Sequence, residues 1–176
     1  MEIRQALTGE FDEVRTFYHT LIDGMRDAEY KPGWKKGIYP SDGELREALE
    51  AGWLYTGRED GGIAAAMIVN DRSNDGYRQA QWPTPAGDGE VTMIHTLGVM
   101  PHRGGRGLGK EMVRYAIGLA RRQGKKAVRL DVLNGNLPAE RLYTGMGFQY
   151  VQTVSMFYED TGWTDFLLYE YPLDRG

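Results

Sequence analysis

A chain of 176 residues, 41% hydrophobic and 26% charged, has the length and composition of one soluble domain with its own core, and is too short for two. Its 25 acidic and 21 basic side chains leave a net charge of −4, which argues against nucleic acid as the main partner. It contains no cysteine, which excludes disulfides, thiolate metal sites and a cysteine nucleophile.

His19, His95 and His102, the three histidines, have no metal-ligating spacing, so no metal is expected. Glu2, Arg4 and Glu10 interrupt any apolar run at the N-terminus, so no signal peptide is expected. No apolar segment approaches the length of a membrane span, and a cytoplasmic protein with no membrane contact is the expectation.

In chain order, residues 2–7 read as a short first strand. Phe11, Val14, Phe17, Tyr18 and Leu21 recur at helical spacing, which predicts a helix over 10–26 with Thr8 as its N-cap. The pattern breaks at 27–40, DAEYKPGWKKGIYP, a loop carrying Tyr30, Trp34 and Tyr39. Ser41 with Glu44 forms a capping box that opens a second helix through Leu45 and Leu49, with Gly52 as terminator. Residues 53–57 read as a strand, EDGG as a turn, and 63–70 as the hairpin partner, whose AAAMIV run fits a strand buried on both faces. Residues 71–89 hold Gly, Pro, Asn and Asp without periodicity and read as a long loop.

Val91, Met93, His95, Leu97 and Val99 then alternate as one strand face, and Pro101 ends the ladder. Gly104, Gly105, Gly107 and Gly109 follow. From Leu108, the positions Met112, Tyr115, Ala116 and Leu119 fall at helical spacing. Residues 127–133 read as another strand and 137–146 as a short helix stopped by Gly147. Residues 148–158 and 164–171 alternate well enough to form a final hairpin around EDTGW. The order β-α-α-β-β-β-α-β-α-β-β predicts an α+β fold, with the strands on one mixed sheet and helices on its faces.

The glycine-rich turn carries the chemistry. A strand, a turn of small residues and a helix start leave free N–H groups where the helix dipole favours an anion, and Arg103, Arg106 and Lys110 add positive charge. A P-loop is excluded because Glu111 follows Gly109 and Lys110 where Ser or Thr would hold magnesium. The dinucleotide fingerprint fails because Gly105 and Gly107 would require glycine at Lys110. A second signal is LDVLNGNLPAERLYTGMGF: Tyr143 lies two helical turns after Asn136, so both fall on one helix face and can point at one ligand.

Taken together, L-x-V-x-P followed by x-G-x-G-x-G, and N-x-x-A-x-x-L-Y-x-x-x-G-F at Asn136, Ala139, Leu142, Tyr143, Gly147 and Phe148, resemble the GNAT superfamily of acetyl-CoA-dependent N-acetyltransferases. The order of elements matches as well, so the resemblance covers nearly the whole chain, read as a single domain over 1–176. It implies a mostly antiparallel sheet with helices on both faces, splayed at the central strands. It also implies that the amides of Gly104, Gly105, Gly107, Leu108 and Gly109, with Arg103, Arg106 and Lys110, hold the coenzyme pyrophosphate. The family's usual Arg or Gln at the loop opening is Gly104 here, with Arg103 displaced by one.

The same resemblance implies that Leu97, Gly98 and Val99 bind pantetheine through main chain while the side chains of Leu97 and Val99 pack the core. Asn136 is then a pantetheine contact, and Tyr143 the general acid for the departing thiolate. The plain alternative is that Asn136 caps a helix and Tyr143 packs the core. For the base, His95 is the first candidate, since an unperturbed imidazole titrates near ~6.5, suited to taking a proton. The stretch H-T-L-G-V is similar to the strand of arylalkylamine N-acetyltransferases in which histidines relay a proton through water. Glu90 is the second candidate, and a hydrogen-bonded core histidine is the alternative role for His95.

Acceptor recognition is expected from Tyr30, Trp34, Tyr39 and Trp82 as an aromatic wall, with Asp23, Asp27 and Glu29 attracting a cationic amine. The reading that follows is acetyl transfer to a primary amine by direct attack in a ternary complex on a small-molecule acceptor, with no acetyl-cysteine intermediate because there is no cysteine. A non-catalytic acyl-CoA-binding module and an enzyme acting on protein N-termini or lysines stay open. A homodimer formed through the final hairpin's edge is a further expectation.

Overall fold

The computed structural model describes residues 1–173. Most predicted elements form where periodicity placed them. The strands are β1 (Glu2–Gln5), β2 (Leu54–Glu59), β3 (Gly62–Asn70), β4 (Val91–Val99), β5 (Ala127–Leu133), β6 (Gln149–Tyr158) and β7 (Gly162–Pro172). The helices are α1 (Phe11–Gly24), α2 (Asp42–Glu50), α3 (Leu108–Arg122) and α4 (Leu137–Gly145). The strand order is β1-β2-β3-β4-β5-β7-β6, with β4 and β5 parallel and the β1–β2, β2–β3, β5–β7 and β6–β7 pairs antiparallel.

Two compact units share the chain. The first comprises Met1–Glu29, Trp34–Val69 and His95–Tyr115; the second comprises Tyr30–Gly33, Asn70–Ile94 and the chain from Ala116 onward. In the first, Phe11, Val14, Phe17, Tyr18 and Leu21 form the buried stripe of α1 and join Leu45 and Leu49 of α2, Leu54 of β2, and Ala66 and Ile68 of β3. Fully burying one such leucine contributes about 1.5–3 kcal/mol. Ser41 caps α2 as its sequence foretells: its hydroxyl accepts the Glu44 N–H at 3.1 Å, and the Glu44 carboxylate accepts the Ser41 N–H at 2.8 Å. The β2–β3 hairpin turns on Asp60 (φ 51°) and Gly61 (φ 79°), both left-handed, as a two-residue hairpin loop requires.

In the second unit, Tyr77, Val91, Met93, Ala127, Val154, Met156, Phe166 and Leu168 form the core. The long loop is less featureless than expected, since 3₁₀ turns occupy Asp75–Gln79 and Asp88–Glu90. Such turns are too short to leave a repeat in the sequence. The loop is fastened by a buried ion pair. Arg129 Nε donates to Glu170 Oε2 at 2.9 Å, Glu170 Oε1 accepts from the Thr84 N–H and hydroxyl, and an Arg129 Nη donates to the Thr84 carbonyl.

Thr8 does not cap α1. It lies in a 3₁₀ turn, Thr8–Glu10; Glu10 holds the N-cap position of α1 without a side-chain cap bond, and its carboxylate accepts the Leu7 N–H at 2.7 Å at the start of that turn and pairs with Arg4. Among the described residues, no helix is long and apolar enough to cross a membrane.

Candidate active site

The glycine loop belongs wholly to the first unit. After β4, the chain makes a 3₁₀ turn over Pro101–Arg103, and the Gly104 N–H closes on the Pro101 carbonyl at 3.1 Å. Gly105 (φ 76°) and Gly107 (φ 81°) are both left-handed. A Cβ at either would meet nothing within 4 Å, so backbone conformation rather than crowding calls for glycine there. The chain then enters α3 at Leu108, whose first-turn N–H groups have no partner inside the helix.

The basic side chains around this loop are tied to the β2–β3 hairpin. Arg103 donates to Glu59 at 2.8 Å and to Asp60 at 3.2 Å, and Arg106 donates to the same Glu59 oxygen at 2.9 Å. Burial raises the Glu59 pKa, but the Arg103 and Arg106 guanidiniums outweigh it and hold the carboxyl below its usual range. Glu59 left no local trace in the sequence, because its partners are more than 40 residues away.

β4 contains one left-handed residue. Thr96 has φ 49°, and its carbonyl accepts the buried Tyr18 hydroxyl at 2.9 Å. Burial alternates through it all the same. Thr92, Ile94, Thr96 and Gly98 are buried, whereas His95, Leu97 and Val99 are partly exposed. The expectation that Leu97 and Val99 pack the core is therefore corrected. Gly98 permits close packing: a Cβ there would stand 2.3 Å from a Leu21 methyl and 3.4 Å from the Trp34 ring. The parallel ladder between β4 and β5 covers Val91–Met93 against Ala127–Arg129 only. Glu90 sits in the 3₁₀ turn before β4, its carboxylate accepting the Gly87 N–H at 2.8 Å and pairing with Lys126 at 2.7 Å.

In the second unit, Asn136 occupies the N-cap position of α4 but makes no side-chain cap bond there. Tyr143 is buried with its ring edge-on to Phe148 at 5.5 Å, and Gly147 (φ 96°) ends the helix region. Burial, and then the negative charge of Asp131, push the Tyr143 hydroxyl above its ordinary pKa. Asp131 itself accepts the hydroxyls of Tyr77 at 2.8 Å and Tyr158 at 2.7 Å, both on Oδ2.

The four aromatics of the expected wall differ. Trp34 packs edge-on to Tyr18 with ring centres 6.0 Å apart, and Tyr39 pairs its backbone with Lys35; both lie in the first unit. Tyr30 is exposed and belongs to the second. Trp82 donates its indole N–H to the Tyr77 carbonyl, and the Arg129 guanidinium lies 4.3 Å from its ring centre. That engagement packs part of the Trp82 ring, and the side chain stays partly exposed.

Residues 17–148, well over half the chain, match the acetyltransferase (GNAT) family. The chain belongs to that family. Among solved structures, a GNAT-family acetyltransferase from Streptococcus agalactiae superimposes with a TM-score of 0.80 at 20% identity, covering 99% of this chain and 96% of that one. A Salmonella typhimurium protein described as an acetyltransferase, solved with its cofactor acetyl-CoA, gives 0.69 at 20% identity, covering 100% and 95%. At such identities the likeness speaks for the fold. A mycothiol acetyltransferase from Frankia casuarinae is 36% identical over 78 residues, 44% of this chain and 23% of that protein. A streptothricin acetyltransferase from Streptomyces lavendulae is 35% identical over 68 residues, 39% of this chain and 36% of that protein. The match thus spans little more than a third of either relative at most.

The GNAT assignment covers the glycine loop, β4 and α4, the segments that carried the sequence motifs. Glu59 and Asp131 escaped sequence reading, and Tyr18 was read for its place on the helix stripe without its hydroxyl bond to Thr96. Only Asp131 left a usable signal, as a carboxylate inside the otherwise apolar strand stretch Leu130–Leu133.

Proposed function

We propose that this GNAT chain transfers acetyl from acetyl-CoA to a primary amine of a small molecule, by direct attack in a ternary complex, with residues 1–176 acting as one catalytic domain. The observation that carries the reading is the glycine loop, where left-handed Gly105 and Gly107 lead into α3 beside three cations, Arg103, Arg106 and Lys110. Amides at a helix N-terminus flanked by cations suit a pyrophosphate. The loop from Arg103 to Lys110 would hold that group, Leu97, Gly98 and Val99 would bind pantetheine through main chain, and Asn136 would contact it as well. Acetyl-CoA supplies the activated acetyl thioester.

The protein's part is to move protons and steady charge. The amine must lose a proton to attack, and His95, partly exposed on β4, is assigned as the acceptor of that proton. Glu90 is the weaker choice because its carboxylate already serves Gly87 and Lys126. A C–N bond forms, the C–S bond breaks, and the sulfur leaves with its electron pair. A thiol titrates near ~8.5 and a phenol near ~10, and Tyr143 is shifted further upward. Tyr143 therefore acts best by donating a hydrogen bond to the sulfur as charge develops, with water completing the protonation. The acceptor class is read as a small molecule, in keeping with the names of the two curated relatives. Tyr30, Trp34, Tyr39 and Trp82 stay as candidate acceptor contacts.

The test begins with calorimetric titration by acetyl-CoA, followed by thiol release over a panel of amines. Binding with release on at least one amine is the expected outcome. Tyr143→Phe should lower kcat about 100-fold or more, and His95→Ala should remove the rise of kcat/KM toward neutral pH. Because Tyr143 is shifted upward, no falling limb from its ionisation should appear below about pH 10. Binding without release on any amine would identify a non-catalytic acyl-CoA module. No binding would overturn the reading.

A further inference from the structure

One residue of β4 has a backbone conformation in which threonine is seldom found. Thr96 has φ 49°, and a β-branched side chain is disfavoured at a left-handed φ, so the surroundings must impose it. Helix α1, in the same unit, supplies those surroundings. The Tyr18 hydroxyl donates to the Thr96 carbonyl at 2.9 Å and stands 3.3 Å from the Thr96 Oγ1. Both residues are buried, and burial keeps the hydroxyl above its ordinary pKa, so it stays a donor. The Tyr18 ring is itself held, edge-on to Phe17 at 5.1 Å and to Trp34 at 6.0 Å. Three residues further along the same face of α1, Leu21 lies against Gly98 and leaves no room for a Cβ there. One helix face thus grips β4 at Thr96 and at Gly98.

The conformation of Thr96 matters because Leu97, Gly98 and Val99 follow directly. We propose that Tyr18 is a positioning residue: its hydroxyl holds Thr96 left-handed and so sets the main chain of residues 97–99 for the coenzyme arm. The proposal rests on the acetyl-transfer reading above, which assigns that stretch to pantetheine. The hydroxyl need not touch the coenzyme, since it acts through the backbone it fixes. Without the bond, the fraction of protein with Thr96 left-handed falls, and apparent affinity falls with it, because only that fraction is competent to bind. Glycine adopts a left-handed φ without the Cβ penalty, so at position 96 it makes the Tyr18 hydroxyl far less necessary.

The test combines Tyr18→Phe, which keeps the ring and loses the hydroxyl, with Thr96→Gly. Calorimetric titration by acetyl-CoA is run well below the Tm of each variant, where a protein that is less stable but correctly shaped binds normally. Tyr18→Phe should weaken binding at least about tenfold, and in the Thr96→Gly background the same change should cost less than about threefold. Unchanged affinity in Tyr18→Phe would overturn the proposal, as would equal losses in the two backgrounds. A Tyr18→Phe protein that folds in neither background would overturn it too, since the hydroxyl would then serve stability alone. If wild type binds no acetyl-CoA, the acetyl-transfer reading fails first, and the crystal structure of Tyr18→Phe decides whether the hydroxyl holds Thr96. Thr96 leaving the left-handed region supports that hold, and Thr96 keeping its φ refutes it.

Discussion

At the scale of single residues, the loop proposed to hold the coenzyme presents a competition that Glu59 controls. Arg103 and Arg106 both point their guanidiniums at this one carboxylate, so much of the loop's positive charge is neutralised by the protein itself. A pyrophosphate would compete with Glu59 for the same donors, bidentate phosphate recognition being well matched to arginine. Glu59→Gln keeps the side-chain shape and removes the charge. We expect it to tighten acetyl-CoA binding by a few-fold at low salt, an advantage that shrinks as ionic strength rises. Calorimetry at two salt concentrations reads this directly, and weaker binding at both would show that Glu59 positions the arginines instead. The sequence announced the arginines and hid their partner, because a pair joined across more than 40 residues has no local spacing. Asp131 showed as a charge inside an apolar strand, but its partners were hidden for the same reason, since the tyrosines come from the long loop and from β6.

At the scale of elements, periodicity and capping chemistry placed the main strands and helices, and the failures have identifiable causes. Ser41 and Glu44 satisfy each other's backbone groups within four residues, so their box was legible. Thr8 looked equally good, but Glu10 reaches back to the Leu7 N–H and turns the segment into 3₁₀. Leu97 and Val99 share a face with His95 as the alternation predicts, but the pattern alone does not say how far that face is covered, and Thr96, Gly98 and their neighbours on the other face are the buried ones. The entry into α1 also yields a pH prediction. Hydrogen bonding to Arg4, together with the Leu7 N–H and the Arg4 and Arg58 charges, lowers the Glu10 pKa from 4.5 to about 2 against the opposing effect of burial. A depressed carboxyl pKa stabilises the fold above the unfolded value and loses that contribution as pH falls through the folded one. The stabilisation is thus complete above about pH 5 and disappears progressively toward pH 2. Screening at this partly exposed site keeps it to about 1–2 kcal/mol. Glu10→Gln should lower Tm at pH 7 and leave it nearly unchanged near pH 2; an equal loss at both would assign the effect to shape rather than charge.

At the scale of the whole molecule, stability is a small remainder, about 5–15 kcal/mol, so a single buried charge can decide whether the chain folds. Arg129 and Glu170 are that hazard: their side chains are 7% and 1% exposed and joined at 2.9 Å. A buried pair of this kind adds little over well-packed apolar residues, because desolvation offsets most of the attraction. Removing one partner is different, since the other charge then stays buried without compensation. Arg129→Met should cost about 3–5 kcal/mol, and Glu170→Leu a comparable amount, both read from denaturant midpoints at constant m. The double variant should recover much of either loss, because it buries no unpaired charge. The hydrogen bonds from Glu170 to Thr84 temper that recovery, as the Thr84 N–H and hydroxyl lose their acceptor along with the carboxylate. A double variant as unstable as the sum of the singles would mean that Arg129 and Glu170 are not coupled, each side chain then contributing through its separate contacts with the Thr84 segment.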